Sequence, residues 1–321
     1  MANPTQRDVH IDRALTDISV AYKNEEYFAR QMAPIVPVNK DSDTYFVYGK
    51  TNLKKRDDKW TPGTRAQQIE WTVSSAPSYV CMEHALEDQI IWKYRDNADD
   101  PIRYEQDSVE NLQDSILLQD ELDGVSFFSN IGNYGDGTGT GATANVATPK
   151  VPWSSTTAFG QAGMATPLQD VFQASKLIHQ AVLKKPNIMA VTDNVFDVLC
   201  VNPQIVELMK YTQGGTVPEE VLARLFRVKK FIVLSTEYDN APEGKASTGA
   251  SVWPDYCWLI YAEPTPGIKK VSHSYTMQRK GYPYTKRWVE DATDSDWLRN
   301  ADSYVRKLVD PYAGFMLQGI L

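Results

Sequence analysis

Asp100-Pro101-Ile102-Arg103-Tyr104-Glu105-Gln106-Asp107-Ser108-Val109-Glu110-Asn111-Leu112-Gln113-Asp114-Ser115-Ile116-Leu117-Leu118-Gln119-Asp120-Glu121-Leu122-Asp123-Gly124-Val125-Ser126-Phe127-Phe128 is the stretch on which the fold turns. Asp100 is placed to cap, Pro101 suits a first helical position, and Val109, Leu112 and Ile116, then Leu118, Leu122 and Val125, recur at three- and four-residue spacing. The pattern predicts a helix over residues 101–128, about 42 Å long at about 1.5 Å per residue. A narrow apolar stripe with an acidic back implies a helix laid across a surface, not one buried in a core. From Glu83 to Asp123 thirteen carboxylates stand against Lys93, Arg95 and Arg103, a local charge of −10.

Working outward from this helix, the segment before it has the opposite charge. Thr44-Tyr45-Phe46-Val47-Tyr48 and Ile69-Glu70-Trp71-Thr72-Val73 are β-branched and aromatic, and Gly49, Pro62 and Gly63 lie between them, which predicts a long hairpin. Its tip holds Lys50, Lys54, Lys55, Arg56, Lys59 and Arg65 against Asp57 and Asp58, a charge of +4. A basic finger with so little apolar content cannot build its own core. It either extends into solvent or lies on something acidic. Ahead of it, Ala33-Pro34-Ile35-Val36-Pro37-Val38 favours extended chain, so the N-terminal residues read as an arm.

After the helix, Gly132 to Gly141 is a glycine-rich loop. Thr166-Pro167-Leu168-Gln169 starts a second helix whose apolar positions are Leu168, Val171, Phe172, Ile178 and Val182. A compact alternation follows. Strands are expected at Ile188 to Val191, Phe231 to Leu234 and Cys257 to Tyr261, and helices at Asp193 to Cys200, Pro203 to Tyr211 and Thr216 to Phe226, the last with its own capping box. That alternation reads as an α/β-like subdomain between elongated flanks. Late strands are expected at Tyr275 to Tyr284, Lys286 to Glu290 and Tyr304 to Val309, with Asp294-Ser295-Asp296 as a turn, and the apolar end Phe315-Met316-Leu317 is expected to be tucked in.

The 321 residues are 42% hydrophobic and 23% charged, values of a globular chain, and the net charge of −8 excludes a basic nucleic-acid clamp. No apolar run reaches the ~18–20 residues that span a bilayer and no signal-peptide core opens the chain, so a cytoplasmic site of synthesis and folding is expected. Cys81, Cys200 and Cys257 are odd in number and form no CxxC, which points to three buried thiols.

Catalytic patterns are missing. Asp136-Gly137-Thr138-Gly139-Thr140-Gly141 resembles a phosphate loop only in composition, because it follows a helix and lacks GK[ST]. There is no GxSxG or HExxH, and His10, His84, His179 and His273 stand far apart. Asp291, Asp294 and Asp296 lack the glycine and distal glutamate of a calcium loop and read as a solvated turn. No catalytic residue, metal or cofactor is expected. Arm, basic hairpin and acidic helix are instead parts that a solitary monomer would struggle to cover.

The order of these features resembles the major capsid proteins of tailed bacteriophages, the Hong Kong-type capsid fold shared with encapsulins and the herpesvirus capsid floor. The resemblance covers almost the whole chain. It rests on Arg13-Ala14-Leu15-Thr16-Asp17-Ile18-Ser19-Val20-Ala21-Tyr22-Lys23-Asn24-Glu25-Glu26-Tyr27, Pro34-Ile35-Val36-Pro37-Val38, Tyr45-Phe46-Val47-Tyr48, Thr61-Pro62-Gly63-Thr64-Arg65-Ala66, Ala98-Asp99-Asp100-Pro101, Tyr211-Thr212-Gln213-Gly214-Gly215 and Asp310-Pro311-Tyr312-Ala313-Gly314-Phe315, in that order.

The resemblance implies an α+β fold with an N-arm (1–43), an E-loop (44–80), a P-domain with spine helix and glycine-rich loop (81–185), an A-domain (186–267) and a return to P-domain strands (268–321). It implies a structural subunit that forms hexamers and pentamers of an icosahedral head around double-stranded DNA, without sequence-specific binding and without membrane. The implied partners are other copies of itself, a separate scaffolding protein, a portal and a decoration protein, with assembly in the host cytoplasm and residence in the virion. Scaffolding is expected as a separate chain because no long helical leader precedes the arm. Some relatives crosslink an E-loop lysine to an asparagine through a catalytic glutamate; lysines are present here, but no asparagine or glutamate is assigned. Since such an E-loop lies across a neighbour, Lys50, Lys54, Lys55, Arg56, Lys59 and Arg65 are expected to approach that neighbour's Asp107, Glu110 and Asp114. The alternatives are an encapsulin-like nanocompartment shell and, as a second rival, an α/β enzyme.

Overall fold

The computed structural model describes residues 27–45, 47–48, 59, 62, 65, 73–74, 77–96, 104–137, 145–210, 218–239, 241, 248–267 and 270–321. A short helix α1 (Ala29–Met32) leads into strands β1 (Ile35–Val38), β2 (Ser42–Thr44), β3 (Val47–Tyr48), β4 (Val73–Ser74), β5 (Ser78–Val80) and β6 (Met82–Ile91). Helices α2 (Trp92–Asp96) and α3 (Tyr104–Phe128) precede β7 (Val146–Ala147), α4 (Pro167–Val182), β8 (Ile188–Thr192), α5 (Asp193–Val201), α6 (Pro203–Met209), α7 (Glu219–Phe226) and β9 (Lys230–Leu234). β10 (Glu237–Asp239), β11 (Gly249–Ser251), β12 (Cys257–Ile260), β13 (Ser274–Arg279), β14 (Tyr284–Glu290), β15 (Ser295–Leu308) and β16 (Gly314–Leu317) complete the chain.

Helix α3 is the predicted long helix, and its first expected residues, 101–103, lie outside the described residues. Val109, Leu112 and Ile116 are buried as their spacing requires. The narrow-stripe expectation is corrected, because the buried face also carries Gln113, Asp120, Glu121 and Gly124. These continue the apolar register at one-turn intervals, so the acidic helix is clamped between other elements instead of lying on a surface. Its C-terminal carbonyls, which no helical N–H can reach, are met by Asn133 Nδ2 on Phe127 (2.7 Å) and by Tyr134 OH (2.8 Å) and Trp258 Nε1 (3.1 Å) on Phe128.

The sheet under α3 is organised by β15. One edge of this strand pairs antiparallel with β6 (Tyr304 opposite Met82 through Ser295 opposite Ile91), and the other pairs end to end with β13 and β14. β1 adds in parallel to β13, Ile35 opposite Thr276. Three expectations change here. The acidic residues from Glu83 to Asp88 form an exposed strand, not merely a charged run. The expected strand from Tyr275 to Tyr284 divides, because Gly281 at φ +92° and Pro283 turn the chain between β13 and β14. The Asp294-Ser295-Asp296 turn shifts forward, with Asp294 at φ 45° ending it and Ser295 and Asp296 already inside β15.

Asp296 is therefore not solvated. It is buried and accepts hydrogen bonds from Trp92 Nε1 (3.2 Å), Arg95 (2.7 Å) and Arg287 (2.7 Å). Burial works to raise its pKa, and these donors overcome that and hold the carboxyl below its ordinary range.

The second sheet runs β7-β16-β12-β8-β9, with β8 and β9 parallel and β12 antiparallel to both β8 and β16. Every residue of β8, β12 and β16 is buried. One face packs Met189, Val191 and Leu259 against α4, α5, α6 and α7. The other packs Ala190, Trp258 and Met316 against Phe128, Tyr134 and the α1 residues Ala29 and Met32. Burial on both faces explains these continuous apolar runs, and the terminal strand β16 lies between β7 and β12 as its apolar sequence predicts. Thr166 precedes α4 but makes no side-chain cap, and α7 begins at Glu219 after Pro218, its expected Thr216 lying outside the described residues. α6 ends at Met209. Cys81 and Cys257 are buried thiols, whereas Cys200 is only partly covered. No described helix is long and apolar enough to cross a membrane, and the described residues hold no cluster of potential metal ligands.

Candidate assembly site

The N-terminal segment is anchored where α3 crosses the β15 sheet. Gly124 makes this approach possible, since a Cβ there would sit 2.5 Å from the Ala29 Cβ. Phe28 and Ala29 leave backbone N–H groups unpaired at the start of α1, and the Glu121 carboxylate accepts both, at 3.0 Å from Phe28 N and 2.8 Å from Ala29 N. The other Glu121 oxygen accepts Trp253 Nε1 at 2.7 Å, which joins arm, helix and second sheet at one side chain. Burial raises the Glu121 pKa, and its three N–H donors oppose the shift.

Beside it, Asp120 accepts Arg30 Nε (2.5 Å) through one oxygen and Arg306 (2.6 Å) through the other. Arg30 also reaches Asp302 (2.7 Å), whose second oxygen takes Gln278 Nε2 at 2.8 Å, and its guanidinium lies 5.4 Å from the Tyr304 ring centroid. Burial works to lower the Arg30 pKa, but Asp120 and Asp302 outweigh it and raise the pKa, keeping the guanidinium charged. Charges placed this way fix the direction in which the arm enters more than they add stability, because desolvation offsets much of their attraction. The anchor continues into β1 and then into the hairpin base, where Val47 pairs with Ser74 and Tyr48 with Val73.

The sequence-predicted contact residues divide between this frame and the hairpin tip. Lys50, Lys54, Lys55 and Arg56 lie outside the described residues, and Lys59 and Arg65 are exposed. On α3, Asp107 and Glu110 are exposed, and Asp114 is partly buried and accepts the Tyr27 hydroxyl at 3.0 Å. The three recur at helical spacing along one side. Among the described residues, three of the thirteen carboxylates of the −10 region are ion-paired within the subunit: Glu87 with Arg299, Glu105 with Arg287 and Arg95, and Asp120 with Arg30 and Arg306. Asp120 and Glu121 are the functional residues that sequence reading missed. The available signal was two carboxylates and a glycine in phase with Val109, Leu112, Ile116 and Phe128.

No family model matches the chain. The major capsid protein of Burkholderia phage BcepMu is 24% identical to it over 311 residues, covering 97% of this chain and 96% of the relative. A phage-related protein from Bordetella bronchiseptica RB50 superposes with a TM-score of 0.75 at 19% identity, over 97% of this chain and 98% of the other. The fold is that of the phage capsid proteins. The capsid of cyanophage P-SCSP1u gives a TM-score of 0.59 at 10% identity, covering 89% of this chain and 86% of that one.

Proposed function

We propose that this chain is a capsid protein, the major shell subunit of an icosahedral phage head, assembling as hexamers and pentamers around double-stranded DNA. The observation that carries the reading is the pair β3 and β4, which closes the base of a 24-residue excursion (49–72) rich in lysine and arginine. A segment of that composition has too little apolar content to build a core of its own. This reading divides the chain into N-arm (1–43), E-loop (44–80), P-domain (81–185), A-domain (186–267) and returning strands (268–321).

In this reading Lys50, Lys54, Lys55, Arg56, Lys59 and Arg65 of one copy approach Asp107, Glu110 and Asp114 on the α3 helix of its neighbour. Each exposed pair contributes only ~0–1 kcal/mol, so the charges set register and approach while apolar burial supplies most of the stability. Scaffolding, portal and decoration proteins are the heterologous partners of such a head. Electron microscopy of the expressed protein tests the reading: closed shells or capsomers are expected, and a monodisperse monomer at high concentration overturns it. Lys54→Glu combined with Lys55→Glu tests the charge contact, with assembly lost and the monomer still folded. Normal shells from that double variant would refute the contact.

A further inference from the structure

The acidic balance of the whole chain hides a surface of the opposite sign. Residues 171–192 and 221–236 contain no Asp or Glu, and each carries several cations. Lys176 lies on α4, and Lys184 and Lys185 follow its C-terminus, where Leu183 adopts φ 62° and ends the helix. Arg224, Arg227 and Lys229 sit at the matching end of α7, which ends with Arg227 at φ 58°. All six are exposed, as is Lys230 at the start of β9.

The fold brings the two groups together. Lys229 and Lys230 donate their backbone N–H groups to the Asn187 carbonyl, both at 3.0 Å, so the residues after Lys185 and those after Arg227 meet at the paired starts of β8 and β9. The Arg227 guanidinium lies 5.0 Å from the Phe172 ring centroid, and Lys176 follows Phe172 by one helical turn. The eight steps from Lys176 to Lys184 extend the strip by about 12 Å.

None of these seven cations makes an ion pair with a described residue, although Arg30, Arg95, Arg279, Arg287, Arg299 and Arg306 all do. Lys230 bonds to the neutral Gln31 amide at 2.6 Å. Glu219 and Glu220 lie at the opposite end of α7, and Glu263 is close enough for Lys184 to lower its pKa. Like charges gathered without counterions repel one another and cost stability unless an outside anion neutralises them.

We infer that this strip on α4 and α7 binds the phosphate backbone of double-stranded DNA, without reading sequence. This rests on the capsid reading, in which DNA is the polyanion that the shell encloses. A protein partner is less well matched. Protein interfaces are depleted in charge and rich in apolar anchors at their centres, whereas here the central aromatic, Phe172, lies under Arg227. Phosphate binding needs only cations in a row, and each contact releases counterions.

The test uses the full-length, unassembled protein and a fluorescent 20-base-pair duplex of random sequence, read by anisotropy between 50 and 200 mM salt. Wild type is expected to bind with steep salt dependence. Lys184→Glu, Lys185→Glu, Arg227→Glu and Lys229→Glu together are expected to weaken binding at least tenfold, and removing four phosphate contacts lowers the logarithmic salt slope by about 3 to 4. Lys40→Glu, Lys93→Glu, Lys280→Glu and Lys307→Glu together are the charge-matched control and are expected to bind like wild type; circular dichroism confirms that both variants fold. Equal binding by the fourfold variant and wild type, or an equal loss in the control, overturns the proposal. So does tighter binding of polyglutamate than of DNA at equal charge, which marks the strip as a protein contact. Electron microscopy of the same samples separates the two readings: shells formed by a protein that does not bind DNA refute the strip and leave the capsid reading standing.

Discussion

Glu121 Oε2 lies 2.8 Å from the backbone nitrogen of Ala29, so a carboxylate in the middle of the long helix caps the short helix of an arm 92 residues away in sequence. Glu121→Gln keeps the shape but replaces one accepting oxygen with a donor facing other donors. The expected loss is about 1–3 kcal/mol, the cost of leaving buried polar groups unpaired. A lower melting temperature and faster proteolysis near Ala29 are the readouts, and unchanged values for both would contradict the cap.

Asp120 neutralises two arginines from opposite directions. Asp120→Asn leaves Arg30 and Arg306 with too little negative charge in a buried setting, and about 3–5 kcal/mol of stability is expected to go. The double variant Asp120→Asn with Arg306→Met should recover part of it, which a thermodynamic cycle measures. A single-variant cost no greater than that of an exposed carboxylate would show that the network is decorative.

Gly124 admits no side chain. Gly124→Ala places a methyl group within the van der Waals radius of Ala29, so the arm must move outward or the helix must bend, at an expected cost of about 1–3 kcal/mol. Ala29→Gly in the same molecule removes the colliding atom and is expected to restore arm protection from protease. Hydrogen exchange at Ala29 to Ala33 resolves the effect locally.

Acid sensitivity has one identifiable source in His273. The ring is fully buried, stacked near Tyr134 at 5.1 Å, with Nε2 3.2 Å from the Asn133 carbonyl. Burial pushes its pKa down to about 4. A group with a depressed folded pKa binds its proton first in the unfolded chain. Stability is complete above about pH 6.5 and falls as pH drops toward 4, by about 3 kcal/mol at 1.36 kcal/mol per pH unit. Urea denaturation between pH 7 and pH 4 should show a smaller decline for His273→Gln than for wild type, and parallel curves would exclude His273 as the source.

Much of the fold could be read because its signals are local. The α3 helix, the α4 start, the buried β8 and β12 runs and the hairpin base follow from apolar period, proline and glycine placement, and β-branched content. What escaped is non-local. Glu83 to Asp88 has too many charges to look like a strand, yet it is held as one by the register of β15, more than 200 residues later. Asp296 looked solvated because nothing nearby in sequence shows that Arg95 and Arg287 converge on it. Asp120 and Glu121 looked like the wet side of a helix for the same reason, since their partners come from the arm, β15 and the loop before β12. A charge total over a window cannot distinguish carboxylates that face outward from those that hold the subunit together.

The parallel pairing of β1 with β13 has a mechanical consequence. Tension drawn along the arm loads its hydrogen bonds side by side, in shear, with the Arg30 and Glu121 contacts in series ahead of them. An arm under tension therefore passes the load through β13 into Tyr304 to Leu308 of β15 and does not peel from one end.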